Sequence, residues 1–214
     1  MTRVPQDGKT KTRLLSVLKP EECRELHEAF LSDMAENLHP EDADIFISYL
    51  DDCPDAAERI QDFFPLAAGY LPQRGETLGD KMLDAFETVL ASGYERAVLT
   101  GTDLPELSNE ILNDAFLALR DHDLVLNETT DHGYYLVGMK KTQNIFHIDV
   151  YGSGEVFEKT LKNAVDLGLK IYCGKMLMDI DTREDLHAAK AAYECGDFSL
   201  WKHTAAFCEK YKEK

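Results

Sequence analysis

The residues of this chain best suited to chemistry are aspartates beside short apolar runs. Asp103 follows Ala97–Leu99 and lies between Gly101 and Pro105. An apolar run closed by glycine and proline is typical of a buried strand that enters a loop. Ligands bind at the carboxyl ends of strands in open α/β sheets, where a carboxylate suits a hard cation that carries phosphate oxygens. The alternative is that Asp103 only organises its loop as an Asx turn.

Asp181 allows two similar interpretations. It precedes Thr182, and Thr182 and Asp185 have the spacing of a helix capping box, so Asp181 could simply begin a helix. It could also be a second metal ligand that faces Asp103 across the sheet.

Asp131 and His132 stand in a polar loop before the apolar segment Tyr134–Val137. Asp131 could hold a substrate hydroxyl, a metal or a water molecule. His132 could carry a proton, because the unperturbed pKa of histidine lies near neutrality. The alternative is an ordinary turn between two strands.

The start of the chain is locally basic. Lys9, Lys11, Thr12 and Arg13 follow Gly8, in a protein where acidic residues outnumber basic ones by 40 to 23. Such a loop can bind phosphates through charge and backbone N–H groups. A solvated basic tail is the alternative, and the charge contrast favours phosphate contact.

Length and composition limit the class of protein. The 214 residues suffice for one α/β domain over 1–214, and the net charge of −17 makes nucleic acid an unfavourable partner. Five scattered cysteines contain no Cys-x-x-Cys pair, which argues against a zinc site or a disulfide framework. Without a signal peptide or an apolar run of membrane-spanning length, the sequence predicts a cytoplasmic protein. The oligomeric state is left open.

Hydrophobic periodicity predicts helices that alternate with strands, which argues for a mainly parallel sheet covered on both faces. Helices are predicted over Pro20–Leu38, Pro54–Phe64, from Leu78 onward, after an N-cap at Ser108, over Gly154–Leu167, from Asp181 to about Cys195, and around Trp201, Phe207 and Tyr211. In the helix that begins at Leu78, the predicted buried residues are Leu78, Met82, Phe86 and Val89. In the helix over Gly154–Leu167, Val165 is predicted on the inner face. Strands are predicted at Asp44–Tyr49, Ala97–Leu99, Leu124–Leu126, Tyr134–Val137 and Leu169–Cys173. His27 and His39 are predicted to be surface residues.

Five stretches resemble one family in their order along the chain, over roughly residues 4–190. Together they are similar to the small bacterial GT-A-fold proteins provisionally assigned as glycosyltransferases, relatives of 2-phospholactate guanylyltransferase in the nucleotide-diphospho-sugar transferase superfamily. The stretches are Pro5-x-x-Gly8-x-x-Lys11-Thr-Arg-Leu14, Gln73-x-Gly75-x-x-Leu78-Gly79, Gly101-Thr-Asp-Leu-Pro105, Asp131-x-Gly133-Tyr-Tyr-Leu-x-Gly138 and Asp179-x-Asp181-Thr-x-x-Asp185-Leu186.

The resemblance implies a three-layer α/β sandwich with a mostly parallel sheet and a nucleotide site. Asp103 would bind Mg²⁺ or Mn²⁺, with Asp181 as a second ligand. The phosphates and the sugar or acceptor would be contacted by Lys9, Lys11, Thr12, Arg13, Gln73, Gly101, Asp131, Gly133 and Tyr134.

The chain departs from the family pattern at two places. His132 replaces the first of two glycines that usually follow the aspartate, and it could narrow the pocket or supply a base. The family's apolar first strand is reduced here to Met1–Val4. Since that strand normally lies inside the sheet, its loss would leave neighbouring strands without ladder partners.

The leading functional hypothesis is a metal-dependent transferase that uses a nucleotide-activated sugar and a small-molecule acceptor. If the reaction inverts the sugar, Asp131 or His132 is the candidate base. One alternative is a nucleotidyltransferase that joins an NTP to a phosphorylated or carboxylated small molecule. Another is a non-catalytic nucleotide-binding protein.

Overall fold

The strands of the protein form two ladders that lie side by side. The computed structural model describes residues 1–148, 151, 154–196 and 201–211. The parallel ladder has the order β1-β2-β3, and the mixed ladder has the order β4-β6-β5-β7. The strands are β1 (Thr2–Arg3), β2 (Phe46–Leu50), β3 (Gly69–Pro72), β4 (Ala97–Thr100), β5 (Leu124–Glu128), β6 (Tyr134–Met139) and β7 (Ile171–Tyr172).

Helices follow most of the strands in the chain, as the alternating pattern predicts. They are α1 (Pro20–Asn37), α2 (Ala56–Phe63), α3 (Leu78–Ala91), α4 (Asn109–Ala118), α5 (Val156–Asp166), α6 (Arg183–Glu194) and α7 (Lys202–Lys210), with a 3-10 helix at Thr12–Ser16. Local signals place several helix starts: Ser108 caps α4 by accepting from the Ile111 N–H, and Thr182 and Asp185 form the predicted capping box of α6.

Buried side chains cover both faces of the sheet. Along β5, Val125 belongs to one apolar cluster, which also includes residues of α1, α2, α4 and α6. Its neighbours Leu124 and Leu126 belong to a second cluster with residues of α3 and α5. Because side chains alternate between the two faces of a strand, this division gives a layer of helices on each side. The predicted α/β class is therefore confirmed.

Several details differ from the sequence prediction. The segment Tyr134–Met139 is antiparallel to both of its neighbours, and β3 was not predicted. Leu78 and Val165 are 46% and 60% exposed, because they lie near the ends of their helices and turn away from the core. His27 is buried rather than at the surface, because α1 packs that side against β1, where its Nε2 lies 3.3 Å from the Thr2 hydroxyl.

The first strand is short, as the sequence predicts. β1 pairs with β2 at two positions, Thr2 opposite Tyr49 and Arg3 opposite Leu50. Among the described residues, β4 forms ladder pairs with β6 alone. None of the helices in the described part of the chain has both the length and the apolar character needed to cross a bilayer.

Candidate functional site

Lys11 lies at the centre of the candidate site. Its backbone adopts the left-handed conformation, with φ of 50°, immediately before the 3-10 helix. Its Nζ contacts the Asp103 carboxylate and lies 2.8 Å from both Asp181 Oδ1 and the Ile180 carbonyl oxygen. The Lys11 side chain is only 7% exposed. Three loops distant in sequence therefore meet at one ammonium group.

The two predicted metal ligands, Asp103 and Asp181, come together because their two loops meet at the same edge of the sheet. Asp103 lies in the loop between β4 and α4, and Asp181 lies just before α6. The Ile180 N–H donates to the Asp103 carbonyl oxygen at 3.0 Å, which ties the two loops to each other. The backbone thus fixes the spacing of the carboxylates independently of the side-chain contacts.

Charge interactions outweigh burial for both members of the Lys11–Asp103 pair. Burial would lower the pKa of Lys11, but Asp103 and Asp181 together raise it. Burial would raise the pKa of Asp103, but the Lys11 ammonium holds it below its usual range. Both groups are therefore charged at neutral pH.

Asp179 adds a further acidic group that the sequence analysis did not select as a site residue. Burial, followed by the charges of Asp103, Asp131 and Asp181, raises its pKa to about 7. The alternating pattern Asp179-Ile-Asp181 was the available signal, because residues two apart in extended chain point the same way.

A cavity of about 420 Å³ opens beside this cluster. Seven residues that were selected from the sequence line it, namely Lys9, Lys11, Thr12, Arg13, Gln73, Asp103 and Asp181. Lys81 and Thr102, which the sequence analysis did not select, line it too. Arg13 reaches Asp181 Oδ2 at 3.4 Å and remains half exposed. The cavity therefore has a basic wall from the amino-terminal loop and an acidic wall from two other loops.

Gln73 lines the cavity, whereas Gly101 is not among its described lining residues and lies two residues before Asp103 in the loop after β4. The Gln73 side chain donates from Nε2 to the Thr2 carbonyl at 3.0 Å and to the Ser48 carbonyl at 3.3 Å, which ties β3 to β1 and β2. A Cβ atom added to Gly101 would lie 3.2 Å from Asp103 Oδ1. A side chain at that position would crowd the carboxylate.

The predicted site residues Asp131, His132, Gly133 and Tyr134 lie apart from the 420 Å³ cavity. Among the described residues that line the 420 Å³ cavity, none comes from this segment. Asp131 Oδ1 accepts from the Thr129 hydroxyl at 2.6 Å and from the Gly133 N–H at 3.0 Å. These contacts are those of a structured turn. Asp131 nonetheless lies close enough to Asp179 to raise its pKa.

His132 and Tyr134 point in different directions from that turn. His132 has φ of 64°, its side chain is 67% exposed, and its Nδ1 lies 3.0 Å from Glu128 Oε1. The Tyr134 hydroxyl lies 3.7 Å from Met82 Sδ. Burial raises the pKa of Tyr134, so its phenol stays protonated.

The oxygen atoms around Lys11 Nζ have the chemistry that a hard divalent cation requires. Two carboxylates and one backbone carbonyl converge there, and Mg²⁺ and Mn²⁺ prefer such oxygen ligands. The described residues contain no group of three or more histidine, cysteine, aspartate or glutamate side chains arranged to hold a metal. The donors fit a cation, which would take the position of Nζ once Lys11 turned away.

Comparison with solved structures identifies the fold. A protein from Desulfovibrio desulfuricans G20, provisionally described as a nucleotide-diphospho-sugar transferase, is 26% identical, covers 99% of this chain and 96% of its own, and has a TM-score of 0.87. The predicted nucleotide-diphospho-sugar transferase-like fold is therefore confirmed.

Two more distant structures share the fold. The 4-diphosphocytidyl-2C-methyl-D-erythritol synthase from Anaerococcus prevotii is 16% identical, with 90% of this chain and 94% of the other covered and a TM-score of 0.55. A cytidylyltransferase from Leptospira borgpetersenii is 15% identical, with coverage of 98% and 90% and a TM-score of 0.57. No curated protein sequence matches the chain. The model of a family of uncharacterized proteins conserved in bacteria, DUF2064, matches residues 31–153, more than half of the sequence, and the protein belongs to that family.

Proposed function

We propose that the protein is a metal-dependent transferase that uses a nucleotide-activated sugar. The observation that carries this proposal is the meeting of Lys11, Asp103 and Asp181 beside a cavity with a basic wall. The fold shared with the D. desulfuricans protein, whose description names nucleotide-diphospho-sugar transfer, supports the same conclusion.

The basic wall would bind the diphosphate. Lys9 and Arg13 can turn toward a ligand, because the Lys9 ammonium donates to the Gln6 side chain at an exposed position, at 3.0 Å, and Arg13 is half exposed with a 3.4 Å contact to Asp181. Lys11 would exchange an aspartate partner for a phosphate oxygen. Each such contact is stronger in a partly enclosed site than it would be in water.

The acidic wall would hold Mg²⁺ or Mn²⁺ through Asp103 and Asp181. When bound, the ion would offset the negative charge that grows on the leaving diphosphate. In an inverting reaction, Asp131 or His132 would be the base that takes a proton from the acceptor. A retaining reaction would need neither residue as a base.

A second candidate is transfer of a nucleotidyl group from an NTP to a small phosphorylated or carboxylated molecule, with release of pyrophosphate. The fold shared with two cytidylyl-group enzymes favours it. A third candidate is nucleotide binding without catalysis, which the occupation of the Asp103 carboxylate by the Lys11 ammonium favours.

Two assays on the purified protein separate these candidates. Mn²⁺-dependent hydrolysis of one NDP-sugar in a panel supports glycosyl transfer, whereas pyrophosphate release from an NTP supports nucleotidyl transfer. Saturable nucleotide binding with no turnover in either assay would contradict both enzymatic proposals. Asp103→Asn should abolish turnover, and Glu106→Gln is the matched control because Glu106 forms an exposed ion pair with Lys175.

A further inference from the structure

The ring of Phe30 in α1 lies beneath the Lys11 ammonium. Lys11 Nζ is 5.4 Å from the centroid of that ring, within the range of about 6 Å over which an aromatic face attracts a cation. The Phe30 side chain is fully buried and is absent from the described residues that line the 420 Å³ cavity. Phe30 therefore contacts the candidate site through Lys11 and not through the cavity.

The ring adds an attraction that the oxygen atoms around Lys11 do not supply. The three N–H groups of the ammonium have three oxygen partners, which belong to Asp103, Asp181 and the Ile180 carbonyl. The face of an aromatic ring carries partial negative charge, so it attracts the ammonium without taking one of these N–H groups. Because both side chains are shielded from water, the attraction is stronger than it would be at an exposed position.

The C-terminal helix α7 supports the Phe30 ring. Phe30 and Trp201, the residue before α7, form an edge-to-face pair with ring centroids 6.0 Å apart. Three residues further along α1, the buried Asp33 carboxylate accepts from the His203 and Thr204 N–H groups, each at 2.7 Å. Residues three apart lie on the same face of a helix, so these contacts fix the start of α7 against the face of α1 that carries Phe30.

A divalent cation gains less from this ring than an ammonium does. Mg²⁺ gives up its hydration shell reluctantly and keeps several water molecules when it binds to carboxylates. Such water molecules would separate the ion from an apolar ring. Phe30 thus favours Lys11 over a hydrated ion at the oxygen atoms of Asp103 and Asp181.

We propose that Phe30 is a positioning residue of the candidate site, which holds Lys11 against Asp103 and Asp181 and so raises the Mn²⁺ concentration needed to displace it. This inference rests on the proposed function, because it requires a divalent cation and Lys11 to share the two carboxylates. The ring touches neither metal nor substrate. It sets how readily the site exchanges one cation for the other.

Titration with Mn²⁺ alone, followed by the electron paramagnetic resonance signal of the free ion, tests the proposal in Phe30→Leu. Leucine has no ring face, so we expect the Kd for Mn²⁺ to fall about threefold. The matched control is Phe86→Leu, because Phe86 is equally buried, stacks on Phe146 with centroids 6.1 Å apart and belongs to the second apolar cluster. General damage to the core does not tighten metal binding, so a lower Kd in Phe30→Leu alone reports on Lys11.

A double-mutant cycle shows whether the effect passes through Lys11. In the Lys11→Met background, Phe30→Leu should change the Kd for Mn²⁺ by less than about 1.5-fold, because no ammonium remains for the ring to hold.

A second readout needs no metal. The rate at which acetic anhydride acetylates Lys11, measured by mass spectrometry, should rise about threefold in Phe30→Leu, because the ammonium leaves the carboxylates more often. The rate should stay within about 1.5-fold of that of the natural sequence in Phe86→Leu, which leaves the partners of Lys11 intact.

Three outcomes would overturn the proposal. The first is a Kd for Mn²⁺ that is unchanged or higher in Phe30→Leu, although Asp103→Asn loses Mn²⁺ binding. The second is a fall in Kd that persists in the Lys11→Met background, and the third is an equal rise in Lys11 acetylation in Phe30→Leu and Phe86→Leu. Failure of the proposed function gives a different result, because Asp103→Asn would then bind Mn²⁺ as the natural sequence does, while acetylation still reports on Phe30.

Discussion

The ammonium of Lys11 contacts the carboxylate of Asp103 across 92 residues of sequence, and the pair is largely buried. The same ammonium lies 2.8 Å from Asp181, so one cation serves two carboxylates. A divalent cation would need the same oxygen atoms. The proposed binding of an ion at Asp103 would therefore be coupled to release of Lys11, and substitutions at Lys11 and Asp103 test this coupling.

Replacement of Lys11 by methionine should make stability depend on divalent ions. Lys11→Met leaves Asp103 and Asp181 without their shared cation and close to Asp179, which should cost about 3 kcal/mol at pH 7. Millimolar Mn²⁺ should then raise Tm more in the variant than in the natural sequence, because the ion no longer competes with an ammonium. Thermal unfolding with and without Mn²⁺ measures both effects, and equal Mn²⁺ shifts would contradict the shared position.

Replacement of Asp103 by asparagine should destabilise the protein through the same contact. Asp103→Asn leaves Lys11 with Asp181 and one carbonyl, so we expect a loss of about 2 kcal/mol at pH 7. Since Lys11 lowers the Asp103 pKa in the folded state, this contribution is present above the unfolded value of 3.8 and disappears as pH falls through the folded pKa. Denaturant unfolding at pH 7 and near pH 3 measures the difference.

The control for that experiment is the exposed pair between Lys175 and Glu106, whose charged atoms lie 2.9 Å apart. Glu106→Gln should cost less than about 1 kcal/mol, because solvent screens an exposed ion pair. Equal losses in the free energy of unfolding for Asp103→Asn and Glu106→Gln would show that burial does not strengthen the Lys11–Asp103 contact.

Acetylation of Met1 should remove a pH dependence between pH 6 and 8. Burial lowers the amino pKa from 8.0 to about 6, against the opposing charge of Asp103. The unfolded chain thus binds more protons in this window, and stability rises with pH, by at most about 2.7 kcal/mol. The acetylated protein should be more stable at pH 6 and nearly equal at pH 8.5. A difference in Tm that does not change with pH would contradict the buried amine.

Replacement of His132 by glycine tests whether this residue is the base. A histidine with φ of 64° carries about 1 kcal/mol of strain, which glycine relieves while the exposed contact to Glu128 is lost. We expect Tm to change by less than about 3 °C. Because the His132 side chain points to solvent, we expect turnover to fall less than about threefold. A loss of a hundredfold or more would identify His132 as the base.

Structure that is decided by short-range chemistry could be predicted from the sequence. The Thr182–Asp185 box and the Ser108 cap follow from hydrogen bonds within one helical turn, and both are present. The sequence predicts Lys11 and Asp103 as site residues. It does not predict their direct contact, because that contact depends on how β4 and the amino-terminal loop meet. The sequence prediction that His27 is a surface residue is wrong. Its partner Thr2 lies 25 residues away, so no local pattern reveals the contact.

The direction of strands was harder to predict than their existence. The sequence predicts an apolar strand at Tyr134–Val137, and the observed strand extends to Met139. Its antiparallel pairing with β4 and β5 depends on long-range contacts that leave no periodic signal. The burial of β4 was overestimated for a related reason. Val98 lies in an apolar segment typical of an inner strand, yet in the described part of the chain β4 forms ladder pairs with β6 alone.

The most direct test of the proposed site is calorimetric titration of the protein with an NTP and NDP-sugar panel, with and without Mn²⁺. Binding of at least one nucleotide should depend on Mn²⁺ and be lost in Asp103→Asn, while Glu106→Gln binds normally. Mn²⁺-dependent binding that persists undiminished in Asp103→Asn would contradict a cation bridge between this carboxylate and the phosphates.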